Sequence, residues 1–217
     1  MSAPRHDIYA FIHKGLRAFM AHTLVRVGCL DPHDADDVAE ARQELRALLD
    51  ICEGHLDHEN RFVHRAIESR SPGASAAIAD EHQDHQEDIA ALRALLERVP
   101  GSTEGAYALY HALATFVAHN LEHMEKEETA HNAVLWACYS DEEILAIEHE
   151  LVASIAPQEM QLALRWMLPH MNPAERAAML GGMRQGAPAA VFEGALGLVR
   201  PLLGGRDWRK LSAALAL

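Results

Sequence analysis

LRALLDICEGHLDHENRF, residues 45–62, is the stretch whose reading decides the fold. Leu45, Leu48, Cys52, His55, Glu59 and Phe62 follow one another at steps of three and four, which trace one stripe of an α-helix. The stripe is apolar as far as Cys52. It then carries an imidazole and a carboxylate, where solubility alone would not place them. His55 and Glu59 stand four residues apart, so both project from the same side of the helix.

The same pattern recurs on either side. The spacing predicts a second helix from about Asp36 to Glu68, with Val38 extending its inward stripe. Ser71-Pro72-Gly73 breaks it. A third helix carries Ile78, His82, His85, Ile89, Leu92, Leu96 and Val99, and Pro100-Gly101 ends it. The fourth, from about Thr103 to Ala137, turns Leu109, Leu113, Phe116, Asn120, His123, Glu127 and Val134 to one side. Upstream, a first helix from about Asp7 to Val27 faces inward through Ile12, Leu16, Phe19 and Thr23, with His13 and Met20 close by. Four long helices with short connections read as an all-α, up-down-up-down bundle over residues 1–139. Helices two and four then run parallel, and their two pairs, His55/Glu59 and His123/Glu127, lie at comparable depth.

Residues 140–217 are helical with a different texture. Ser140-Asp141-Glu142-Glu143 and Asn172-Pro173-Ala174-Glu175 have the form of capping boxes. Short helices are expected over 141–154, 157–169, 173–184, 188–203 and 207–215. This carboxy-terminal extension reads as an add-on that packs against the bundle or forms a dimer surface.

Composition narrows the classes. A formal charge of -13 argues against a nucleic-acid surface and gives little support for anionic membranes. No apolar run approaches membrane-spanning length. Met1-Ser2-Ala3-Pro4-Arg5-His6-Asp7 lacks the apolar core of a secretory leader, so a cytoplasmic location is expected. Cys29, Cys52 and Cys138 form no CxxC pair, and Cys52 reads as a small core residue. Of the 15 histidines only His149 and His170 follow residue 132, so the excess belongs to one part of the chain.

His13, His55, Glu59, His82, His123 and Glu127 therefore converge as four imidazoles and two carboxylates. Nitrogen donors favour Fe, Mn or Zn over Ca or Mg, and two carboxylates can bridge a pair of cations. His85, three residues beyond His82, is a further ligand or a support for one. His119, four before His123, is another candidate. His58 and His131 are expected to turn away, and His22, His64 and His111 to lie at the surface or partly buried. Glu81, Asp57 and Asp84 are candidate partners for the outer ring nitrogens.

Ile12-His13-Lys14-Gly15-Leu16, His55-Leu56-Asp57-His58-Glu59, Glu81-His82-Gln83-Asp84-His85 and His123-Met124-Glu125-Lys126-Glu127-Glu128 resemble the hemerythrin-like, HHE cation-binding family. The likeness spans roughly residues 6–139. It implies a non-haem diiron site carried by His13, His55, Glu59, His82, His123 and Glu127. Oxygen-carrying hemerythrins add a histidine four residues before its partner on the third helix and use Asp as the second bridge. Here the third-helix spacing is His82 to His85, and Glu127 takes the bridging place. That departure counts against reversible oxygen carriage and leaves metal binding intact. Leu164-Arg165-Trp166-Met167-Leu168-Pro169 and Asn172-Pro173-Ala174-Glu175-Arg176 resemble extensions on some bacterial members.

The expected function is binding or sensing of oxygen, nitric oxide, iron or redox state by two iron ions, with Mn or Zn as alternatives. A homodimer or protein partner would dock through the carboxy-terminal helices. A diiron peroxidase, oxidase or nitric oxide-handling enzyme is the second class. A metal-free structural or interaction protein is the third.

Overall fold

Asp34 opens the helix that carries the decisive stretch. Its carboxylate accepts the backbone N–H groups of Asp36 (2.9 Å) and Asp37 (3.2 Å), two donors that a helix start leaves without carbonyl partners. In the computed structural model, which describes residues 5–217, α1 spans Ala10–Gly28 and α2 spans Ala35–His58. Met1–Pro4, part of the stretch read for a leader, lie outside the described residues. α2 passes without a break into a first π turn (Glu59–His64) and then α3 (Arg65–Arg70). Glu68 fastens the turn after α3, accepting the Gly73 N–H (2.6 Å), the Ser75 N–H (2.9 Å) and the Ser75 hydroxyl (2.7 Å).

α4 spans Ala76–Leu96 and α5 Thr103–Lys126, which continues into a second π turn (Glu127–His131) and α6 (Asn132–Cys138). α7 covers Asp141–Ser154. It begins at the expected capping box: the Ser140 N–H donates to Glu143, and the Glu143 N–H donates to Ser140 Oγ. α8 (Pro157–His170), α9 (Pro173–Gly186), α10 (Ala189–Val199), a 3-10 turn (Arg200–Leu202) and α11 (Gly205–Leu215) complete the chain. Among the described residues every regular element is helical, as the periodicity predicts. No helix among them is long and apolar enough to cross a membrane.

The described residues form two compact units: residues 5–10 with 19–154, and residues 11–18 with 155–217. In the first, α4 packs along α5 and α2. Leu45, Leu48, Leu92, Leu96, Leu109, Leu113 and Phe116 are buried in it, each side chain removing apolar area worth about 1.5–3 kcal/mol. The sequence boundary at 139/140 falls inside this unit, which includes α7. Named contacts hold α7 there. Arg70 donates to the Cys138 carbonyl and pairs with Glu143, and its guanidinium lies 3.7 Å over the Tyr139 ring. Tyr9, Val63, Ile67, Leu135 and Ile144 fill the space beneath.

The second unit has its own apolar core of Leu164, Leu168, Met171, Leu180, Phe192, Val199, Leu211 and Leu215. α9 starts at the Asn172 capping box that the sequence announces. Arg176 is buried, and its Nε and Nη2 reach the carbonyls at the end of α8. It donates to the carbonyls of Leu168 (2.6 Å), Pro169 (3.0 Å) and Met171 (2.7 Å).

Candidate metal centre

The inward stripes of α2, α4 and α5 deliver their polar side chains to one place. Glu59 is 2% exposed and Glu127 is fully buried, and both open a π turn. His55 Nε2 lies 3.1 Å from Glu59 Oε1, and His123 Nε2 lies 3.3 Å from Glu127 Oε1. His82 Nε2 stands 3.6 Å from each carboxylate. Ligand atoms of Glu59, His82, His123 and Glu127 thus lie within 4.8 Å of one another, as do those of His55, Glu59 and Glu127. The two i, i+4 pairs meet across the first unit.

The outer nitrogens of two rings are held. His82 Nδ1 faces Asn60 Oδ1 at 2.9 Å, and His123 Nδ1 faces Glu81 Oε2 at 3.0 Å. Both partners are acceptors, so each Nδ1 carries the hydrogen and each Nε2 presents a lone pair. Those two Nε2 atoms face each other at 3.1 Å. Two lone pairs at that distance need a cation between or beside them, either a proton or a metal ion. Burial alone would lower the His123 pKa, but Glu127, Glu59 and Glu81 outweigh it and raise it. A cluster that draws a proton onto an already buried imidazole also suits a divalent cation. The donor set, neutral nitrogens with paired carboxylates, fits a transition metal.

Glu81 is one of the partners the sequence offers for the outer nitrogens. Burial pushes its carboxyl up, but Lys126 and His123 bring it below the usual range, which keeps it ionised. Asp57 instead pairs with Arg61. Asn60 lies outside the expected set, although its place directly after Glu59 puts it beside the site.

His13 is fully buried on α1, within the 11–18 segment that belongs to the second unit. His85 is buried at 3%, with Nδ1 3.5 Å from the Asn120 amide and its ring edge-on to His123 at 4.8 Å between centroids. Burial and the neighbouring His123 and His82 lower its pKa to about 4. His119 does not join the cluster. Its side chain is 58% exposed and lies 3.8 Å from Asp88, because Asn120, one residue on, takes the inward position.

His58 and His131, expected to turn away, and His64, expected at the surface or partly buried, are all buried. His58, His64 and His131 are 7%, 5% and 1% exposed. Burial, His82 and His131 lower the His64 pKa to about 4, and burial lowers that of His131. The ring of His64 stacks on His82 at 4.7 Å and meets His131 edge-on at 5.1 Å. Tyr9, 1% exposed, places its hydroxyl 3.2 Å from His131 Nδ1. Burial and then the carboxylates of Glu127, Glu59 and Asp7 push its pKa well above the usual tyrosine range. A spacing of four after Glu127 is the signal that could have found His131. His64, five after Glu59, is brought in by the π turn.

No curated protein and no solved structure matches the chain. The hemerythrin HHE cation-binding domain matches residues 6–131, more than half of the chain and the whole segment that carries the His and Glu cluster. The chain belongs to the hemerythrin HHE cation-binding domain family.

Proposed function

We propose that this HHE-family protein holds two iron ions at His13, His55, Glu59, His82, His123 and Glu127, and binds or senses oxygen, nitric oxide, iron or redox state through them. The observation that carries the reading is the pair of buried carboxylates set among imidazole nitrogens 3.1–3.6 Å away. Two carboxylates from two π turns suit a pair of cations, because a bridging oxygen offsets the repulsion between like charges. His13 enters the set through its place in the first sequence motif. An up-down-up-down order of the four long helical stretches is part of the same reading.

When bound, the metal pair supplies Lewis acidity and one-electron chemistry toward a small diatomic ligand. The chain's own residues do the rest. Asn60 and Glu81 fix the tautomers of His82 and His123, which leaves their Nε2 atoms to bind. Leu48, Ile89 and Phe116 belong to the apolar core that limits water in the surrounding unit. In the sensing reading, a protein partner or second copy docks through the carboxy-terminal helices, and the protein works in the cytoplasm.

The test is elemental analysis of anaerobically purified full-length protein, combined with Mössbauer spectroscopy. Two iron ions per chain, magnetically coupled after oxidation and lost together in His82→Ala, are expected. A chain that retains no transition metal, and whose melting ignores a chelator, refutes the reading and returns the protein to the structural class. Rapid catalytic consumption of peroxide or nitric oxide with a reductant would replace sensing by enzymatic turnover.

A further inference from the structure

The two π turns do more than carry the paired carboxylates. Each ends on an inward histidine, His64 in the first and His131 in the second. π turns are rare and recur at functional sites, and here the same device occurs twice around one point. The Nε2 atoms of His64 and His131 are both buried and have no hydrogen-bond partner among the described residues. Two such atoms are a cost to the fold unless something else meets them.

We propose that His64, His131 and Glu127 form a third cation position, a two-imidazole, one-carboxylate site for a divalent ion such as Zn2+ or Fe2+. Ligand atoms of the three residues lie within 4.8 Å of one another. The rings meet edge-on at 5.1 Å between centroids, so two nitrogens can converge on one point without stacking face to face. The Tyr9 hydroxyl at His131 Nδ1 supplies the outer contact that orients a ligating imidazole and directs the Nε2 lone pair inward. Two nitrogens and one carboxylate oxygen match the sites that hold Zn2+ or Fe2+ with open positions, and do not match the all-oxygen sites of Ca2+ or Mg2+. Glu127 also belongs to the proposed iron pair, and a carboxylate has enough lone pairs to serve both. The third position does not require that pair to be iron.

The experiment demetallates the full chain, titrates it with Zn2+ against a chromophoric chelator, and counts tightly held ions by elemental analysis after desalting. Wild type is expected to hold one more Zn2+ than His64→Gln or His131→Gln, with the remaining ions bound about as tightly as before. Tyr9→Phe should keep the count and weaken one ion by roughly 10- to 100-fold. Anomalous diffraction at the zinc edge, on wild-type crystals, reads the same position without any variant and should show a peak between His64 and His131. Equal counts in wild type and both Gln variants, or no such peak, overturn the third position. His82→Ala separates the two readings: it should empty the pair and keep the His64/His131 ion, whereas a wild-type chain that holds the His64/His131 ion alone would sink the pair and spare the third position. A wild-type chain that holds no Zn2+ overturns the third position and leaves the iron pair to its own elemental analysis.

Discussion

Glu81→Gln tests how much of the metal affinity is set outside the ligands themselves. Glu81 Oε2 accepts from His123 Nδ1 at 3.0 Å, while its other oxygen takes the Lys126 ammonium. The amide of Gln can still accept the ring N–H but brings no negative charge. A hydrogen bond to a charged group is worth about 1.5–3 kcal/mol and a neutral one about 0.5–1.5 kcal/mol, so the exchange removes roughly 1–1.5 kcal/mol of support for His123. Since 1.4 kcal/mol is tenfold, metal affinity should fall about 5- to 15-fold. The lower end is favoured, because Glu81 is partly exposed and Lys126 already shares its charge. Competition titration with Zn2+ at pH 7.5, on protein whose helicity matches wild type, measures the change. Lys126→Met is the control: it leaves the His123 contact in place and should alter affinity by less than about threefold. Affinity within twofold of wild type in Glu81→Gln would refute the assignment of Glu81 as the group that orients and charges His123.

Packing and charge give three further expected outcomes. Gly105→Ala would put a Cβ 2.3 Å from the Arg98 carbonyl oxygen, so the start of α5 must shift; a loss of about 1–3 kcal/mol in chemical denaturation is expected, and an unchanged midpoint would contradict the contact. Arg176→Met removes three donors from the end of α8 and should cost roughly 3 kcal/mol, read by denaturation; a loss below about 1 kcal/mol would show those carbonyls to be satisfied otherwise. Hydrogen bonds from Gly73 and Ser75 lower the Glu68 carboxyl to about 2, so its contribution is fully present above the ordinary value of 4.5 and is lost as pH falls from there toward 2. Glu68→Gln should therefore flatten the acid limb of the stability curve over that window, and an identical limb in the variant would refute the role given to this turn.

The helices are legible because the chain punctuates itself: Ser71-Pro72-Gly73, Pro100-Gly101 and Asn172-Pro173 stand at observed ends, and the steps of three and four identify the buried faces. The candidate donors are legible for the same reason, since His55, Glu59, His82, His123 and Glu127 lie on stripes that are otherwise apolar. His119 is misleading. A spacing of four from His123 permits a shared face, but the alternating register 116, 120, 123, 127 assigns the inward position to Asn120. Spacing identifies which residues can share a face; competition along the stripe decides which one does.

The part hidden from the sequence comes from a single local event that happens twice. The sequence reading carries the α period past Glu59 to Phe62 and past Glu127 to Val134. In the structure Phe62 and Val134 are only partly buried, and the neighbours Val63 and Leu135 take the core, at 1% and 0% exposure. A π turn closes i to i+5, and each extra residue rotates the downstream helix by about 100° relative to a continued α-helix. That rotation seats Val63 and Leu135 and lets the helix resume as α3 and α6. It also brings His64 toward the carboxylates. Nothing in composition announces such a turn, because no Gly or Pro is needed and the helix does not break. Both π turns begin at the buried carboxylates, and burying an ionised group has to be offset by partners that a regular helix would aim elsewhere. The irregular backbone and the polar centre are therefore one feature: the wider turn gathers imidazoles around each carboxylate, and the carboxylates give the wider turn something to bind.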